Sequence, residues 1–283
     1  MTICVSVKTR QGLVLGTDSM STITSSVDGQ IRVVKTYSNA RKLAQIGDLP
    51  IGVFIYGMGN LGARSVHGLV LEFSRLNYGT AAARKRAPKT VRGVANGLAK
   101  YVGEVYSDYV KEAASPLDLG LYVAGYSTRS ALAEEWCIEF PNVTEPILVQ
   151  DKNKFGVNWR AIYIPFMRLF TGCDIRILPI LLNKMKEKGA TEETLHLLNQ
   201  SFSEIYQENT LPLQVVIDAM PIQDAINFAV YVLQTTIGYT TFEIGTPSCG
   251  GELQVAVISE DAGFRWVSEP GYRIIKEGAH GHG

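Results

Sequence analysis

Hydrophobic and polar positions alternate from the start of the chain. Ile3, Val5 and Val7 take turns with Cys4, Ser6 and Lys8, the two-residue period of a strand with one face buried. Arg10-Gln11-Gly12 interrupts the run as a turn, with Gly12 free to adopt a positive φ. Residues 13–17 read as the return strand of a hairpin, which ends on an acid, Asp18. The Ser/Thr-rich stretch that follows reads as a loop or a ragged edge hairpin turning at Asp28-Gly29, with a short strand over 31–34. A strand is expected over 42–46. Another over 51–56 is nearly continuously apolar, as when both faces are covered. It runs into Gly57-Met58-Gly59-Asn60, a glycine pair that reads as the opening of a helix. There Val66, Leu69, Val70 and Phe73 recur at three-four spacing, and Asn77 and Gly79 end it.

A basic Ala/Pro linker (Arg84, Lys85, Arg86, Lys89) leads to a second helix capped by Thr90, with Val91, Val94, Leu98, Val102, Val105 and Tyr109 as its apolar stripe. Strands are expected at 121–125, 136–140 and 147–149, and helices near 159–169, 174–188 and 191–207. Pro221 suits the first position of one more helix, with Ile222, Ala225, Ile226, Ala229, Val230, Leu233 and Ile237 on one face. Strands at 253–259 and 264–267 follow Gly250-Gly251. Helices and strands come in blocks, which implies packed layers and no βαβ repeat.

Composition narrows the class. With 283 residues, 46% of them hydrophobic, the chain can bury one large core or two small ones. Its 27 basic and 27 acidic residues cancel, so no basic face for nucleic acid is implied. Four scattered cysteines without a CxxC fit a reduced, cytoplasmic protein better than a disulfide scaffold or a zinc site. No stretch approaches the roughly 20 apolar residues of a membrane span, and no signal peptide is apparent. The four histidines form no ligand pair, so no metal and no cofactor are expected. The absence of GxSxG disfavours a serine hydrolase.

Candidate chemistry sits at the front of the first strand. A small residue behind Met1 allows removal of that methionine. Thr2 would then carry an amine and a hydroxyl on one residue, a nucleophile with its own base. Met-Thr also begins many ordinary strands. The backbone N–H groups at Gly57–Gly59 can face an anion or an oxyanion, or belong to a tight turn.

These signals share an order. The opening TICVSVKTRQGLVLGTDS, a lysine before a strand in RKLAQIGDLP, an apolar strand ending in YGMGN, the late helix PIQDAINFAVYVLQTT, then SCGGELQVAVI and GFRWV together resemble the proteasome β-subunit group of N-terminal nucleophile hydrolases, and most of all the bacterial Anbu-type proteasome-like proteins. The resemblance spans most of the chain outside 173–218 and is most specific at the N-terminus. It implies an α+β fold, a four-layer αββα sandwich of two stacked, mainly antiparallel sheets. It implies one domain over 1–283 with a helical insertion at about 173–218. It implies a threonine peptidase or amide hydrolase acting on peptide or unfolded protein, a ring or helical homo-oligomer, and an unfoldase partner. A catalytically inactive scaffold subunit and an amidase for a small amide are the alternatives.

Residue by residue, the resemblance makes Thr2 the nucleophile, Asp18 the acid ending the second strand, Lys42 the lysine paired with it, and Gly57 the oxyanion donor. Thr22 is the residue whose backbone pairs with substrate. Met20, Ala40, Ala44, Ile55 and Gly59 line the pocket for the residue before the cut bond, which implies an apolar preference. Three departures stand out. The Asp18–Lys42 interval is long, so an insertion is expected between them; Lys35 keeps a nearer interval but lies too far from the strand ending at Gly57. Asn158 stands where the family has a serine. Thr246-Pro247-Ser248-Cys249 lacks the acid that usually precedes the late glycine pair.

Overall fold

A computed structural model of the chain describes residues 2–27, 30–112, 117–174, 176–207 and 214–272. Strands β1 (Ile3–Lys8), β2 (Leu13–Thr17), β12 (Gly156–Ala161), β13 (Gln254–Ser259) and β14 (Gly263–Ser268) form one five-stranded sheet in the order β12-β1-β2-β13-β14. Strands β5 (Leu43–Gln45), β6 (Ile51–Gly57), β9 (Leu119–Tyr126), β10 (Ala133–Phe140) and β11 (Val143–Gln150) form a second, in the order β11-β10-β9-β6-β5. Every pairing in both sheets is antiparallel. The sheets stack, and helices cover their outer faces. Helix α7 (Ile222–Thr241) lies on β1 and β2; α1 (Val66–Tyr78) and α3 (Val91–Glu112) lie on the other sheet. The result is an α+β sandwich of four layers.

Three separate cores fill the three spaces between layers. Under α7, Ile3, Val5, Val7 and Val14 meet Ala225, Ala229, Val232 and Leu233. Between the sheets, Cys4, Leu13 and Leu15 meet Phe54, Tyr122 and Ala124. On the far side, Val53, Ile55, Leu121 and Val123 meet Val66, Leu69, Leu98 and Val102. The period-two alternation of β1 therefore sorts residues between two cores. The pattern predicts a half-buried strand, yet all six positions of β1 are buried. The polar face is sheathed because its groups find partners: Ser6 Oγ donates to Glu135 Oε2 at 2.6 Å, and Lys8 Nζ donates to the carbonyls of Asp151 and Lys152 at 2.8 and 3.1 Å.

Several local expectations change. Gly12 does not take a positive φ; the position is tight instead, since a Cβ would sit 3.0 Å from Ile258 O and 3.1 Å from Ile222 Cδ1 and its neighbours would have to give way. The glycine pair at 57 and 59 does not open a helix. A small hairpin of β7 (Asn60–Leu61) and β8 (Arg64–Ser65) intervenes, and α1 starts where the Ser65 side chain accepts from Gly68 N. The basic linker folds as a short helix, α2 (Ala81–Arg86), capped by Thr80. Its alanines favour helix, and Pro88 forces the preceding residue out of it. Residues 156–161 are strand β12, because the outer edge of β1 needs backbone partners; helix α4 (Ile164–Thr171) begins only at Ile164, with Pro165 in its first turn. The Ser/Thr-rich stretch is a hairpin of β3 (Ser21–Val27) and β4 (Gln30–Tyr37), and its expected turn, Asp28-Gly29, lies outside the described residues. Helices α5 (Ile177–Glu187) and α6 (Glu192–Gln207) occupy the expected 173–218 segment.

Candidate active site

The start of β1 and the end of β2 lie side by side in the antiparallel pair. That register brings Thr2 and Asp18 together although sixteen positions separate them. Thr2 is anchored through its carbonyl, which accepts from Ile162 N at 2.9 Å, and the residue is buried. Asp18 is wholly buried, and its carboxylate is surrounded by donors. Oδ1 accepts from Lys42 Nζ at 2.8 Å and from Ile3 N at 3.2 Å; Oδ2 accepts from Met20 N at 3.2 Å and Gly250 N at 3.0 Å. A buried carboxylate persists as an ion only with such compensation. One oxygen thus ties the Lys42 ammonium to the backbone next to Thr2.

Between Asp18 and Lys42 the chain forms the β3–β4 hairpin. Lys35 belongs to β4, opposite Ile23; Lys42 is the lysine on Asp18. Its backbone is held from far along the chain. The buried Gln254 side chain accepts from Lys42 N at 3.0 Å and Leu43 N at 3.3 Å, and donates to Ala40 O at 2.8 Å. Ser19 adds two ties: its carbonyl accepts from Ala40 N at 2.8 Å, and its hydroxyl donates to Ser38 O at 2.6 Å.

Thr2, Lys42 and Gly57 share the wall of one cavity of about 290 Å³ with Met20, Thr22, Ala40, Ile55 and Gly59. Ala44 is not on that wall; it is buried in the core facing α1 and α3, because its side of β5 points to the helices. Sequence reasoning missed Arg41, Asn60, Ser65 and His67 on the same wall. The Arg41 guanidinium is drawn aside by Glu269 (3.7 Å), Pro270 O (3.0 Å) and the Tyr272 ring (5.2 Å). Burial, and then the nearby Arg41, hold the His67 imidazole below its ordinary pKa. Among the described residues Thr22 Oγ1 is buried without a hydrogen-bond partner. Gly57 has φ +80°, and a Cβ there would lie 2.2 Å from Asp118 O, so only glycine lets β6 end against β9 in this way.

Two departures resolve structurally. Asn158 does not stand near Asp18; it donates to Glu135 and Gln150 in a polar cluster between the sheets, since it lies opposite Ser6 on β1. The stretch before Gly250-Gly251 has no acid, and Asp18 itself accepts the Gly250 N–H there. Cys4 and Cys249 flank the site, and burial pushes their thiols up to about 12 and about 11, so both stay protonated near neutrality.

The architecture has solved counterparts. The chain is similar to Anbu (ancestral beta-subunit) from Yersinia bercovieri, with a TM-score of 0.53 and 14% identity over 94% of this chain and 87% of that one. It has the Anbu fold. A second counterpart is the Anbu complex from Pseudomonas aeruginosa, solved as a helical assembly, with a TM-score of 0.50 and 16% identity over 98% of this chain and 88% of that one. No family model and no curated protein matches the chain. Among the described residues no helix is long and apolar enough to cross a membrane.

Proposed function

We propose that this chain is a threonine-type peptide or amide hydrolase, working from Thr2 once Met1 is removed. The observation that carries the reading is Asp18 Oδ1, shared by Lys42 Nζ and Ile3 N, with Thr2, Lys42 and Gly57 on one cavity. The Thr2 oxygen attacks the substrate carbonyl while its own amine takes the hydroxyl proton. The Lys42 ammonium disfavours a second positive charge nearby and so keeps that amine neutral near pH 7. The new oxyanion is stabilised by the Gly57 N–H, an interaction that grows as charge develops. Collapse breaks the C–N bond, and the amine returns the proton to the leaving nitrogen. Water, activated by the same amine, then hydrolyses the ester and restores Thr2.

Met20, Ala40 and Ile55 give the cavity apolar walls, with Gly59 beside them, and favour an apolar residue before the cut bond. Strand β3 at Thr22 offers backbone for an extended peptide. Self-assembly belongs to this proposal. A solved relative in fold is a helical assembly, and here Ile180, Leu181 and Leu197 on α5 and α6 are exposed apolar residues.

The test is covalent capture. Intact mass first establishes loss of Met1. A β-lactone or epoxyketone probe is then added, and the modified residue is mapped. An adduct on Thr2, and loss of both adduct and hydrolysis in Thr2→Ala, support the enzyme. A processed chain that takes up no probe and cleaves no peptide leaves the scaffold reading in its place.

A further inference from the structure

Thr2 borders a second cavity, of about 450 Å³, that meets the first at Thr2, Tyr56 and Gly57. Its remaining wall comes from Asp118, Leu119, Gly120, Glu139, Phe140, Asn142, Ala161 and Ile162. Two carboxylates line it, with no lysine, arginine or histidine among the described residues. The first cavity has no carboxylate among its described lining residues, and its basic side chains are engaged elsewhere, Lys42 with Asp18 and Arg41 with Glu269. The nucleophile therefore sits where a space with apolar walls gives way to an acid-lined one.

From this geometry we infer that the second cavity is the leaving-group subsite and selects a cationic residue immediately after the cut bond. The inference rests on the Thr2 hydrolase reading. A chain attacked at its carbonyl by Thr2 must place its acyl part and its amine part on different sides of that hydroxyl. The acyl part belongs with Lys42 and the β3 edge, which leaves the Asp118–Glu139 side for the amine part. Glu139 is held in place because its Oε1 accepts the Tyr56 hydroxyl at 2.6 Å. Asp118 is exposed, and its backbone is fixed by the Met58 N–H donating to its carbonyl at 2.9 Å. A lysine or arginine side chain entering here meets two anions on a partly enclosed wall, where charge pairing is screened less than on open surface. An acidic side chain is repelled by the same pair. Arg160 lies beyond Glu139, facing the next cavity with its guanidinium over the Tyr122 ring at 5.1 Å, and among the described residues Asp118 has no ion pair.

The experiment uses full-length protein lacking Met1 and quenched peptides that differ only in the residue after the cut: Lys, Arg, Ala, Glu or Asp. Lys is expected to exceed Glu in kcat/KM by about fivefold to tenfold, the range of one or two partly exposed charge pairs. The ratio should shrink toward one in 0.5 M salt and in Asp118→Asn/Glu139→Gln. Both substitutions keep shape, and the glutamine keeps an acceptor for Tyr56. Equal rates for Lys and Glu, or a Lys preference untouched by the double substitution, overturn the subsite. A second measurement separates this from the hydrolase reading: binding of the Lys and Glu peptides to Thr2→Ala, followed by NMR. Charge-dependent binding that needs Asp118 and Glu139, with no cleavage by the unmodified Thr2 protein, upholds an acid-lined peptide subsite and removes the peptidase. Cleavage without charge preference keeps the peptidase and removes the subsite.

Discussion

Asp18 concentrates the chemistry at the scale of single residues. Lys42→Met would leave its carboxylate buried with backbone donors only. The expected cost is about 3 kcal/mol in urea unfolding, the order seen when one member of a buried ion pair is removed, together with loss of probe capture at Thr2. Gln254→Leu would strand the Lys42 and Leu43 N–H groups, at about 1–3 kcal/mol for each buried donor left unpaired. Glu135 gives a pH signature. Burial raises its carboxyl above the usual carboxylate range, against hydrogen bonds from Ser6 and Tyr122, and among the described residues its Oε1 has no hydrogen-bond partner. In the window between its unfolded and folded pKa values the native state holds more protons than the unfolded one, so this contribution to stability is lost as pH rises through the folded value. Glu135→Gln should remove that decline, which urea unfolding at pH 5 and pH 8 would detect. At this scale Thr2 could be singled out from its residue type and place, while Asp18 and Lys42 were named through the resemblance to the proteasome-like group. Gln254 was not, because an amide's use depends on which backbone lies opposite it, here more than two hundred residues earlier.

Elements position these residues by how they end. The end of β6 at Gly57 lies directly against the start of β9. Gly57→Ala is expected to force these strand ends apart, costing about 1–3 kcal/mol as backbone strain and shifting both cavity walls; thermal unfolding with and without a peptide ligand would measure each effect. Helix α1 depends on Ser65, whose hydroxyl takes the Gly68 N–H at 3.0 Å. The amphipathic helices were legible because a three-four apolar stripe has one physical solution. The hairpin between Gly57 and α1 and the strand at 156–161 were not. Short segments follow whatever edge needs their hydrogen bonds, and local propensity is too weak to decide.

The whole molecule is three thin cores separated by two sheets, with α5 and α6 outside them. No residue of α5 is buried, while Ile180 and Leu197 are 58% and 61% exposed. If this face joins copies of the chain, Ile180→Glu with Leu197→Glu should lower the mass seen by light scattering toward that of one chain, 31.0 kDa, without altering thermal unfolding of the sandwich by more than about 1 kcal/mol, as for surface changes. An unchanged mass would place any self-contact elsewhere.

The amino-acid sequence by itself determined the long helices and central strands with their apolar faces, and a threonine behind Met1 as candidate chemistry. Those follow from periodicities and residue chemistry that act over a few neighbours. The tertiary structure alone decided that both faces of β1 are buried, that Gln254 holds the Lys42 backbone, and that an acid-lined cavity adjoins Thr2. Each of those depends on strands brought together from opposite ends of the chain, a pairing that no local pattern encodes.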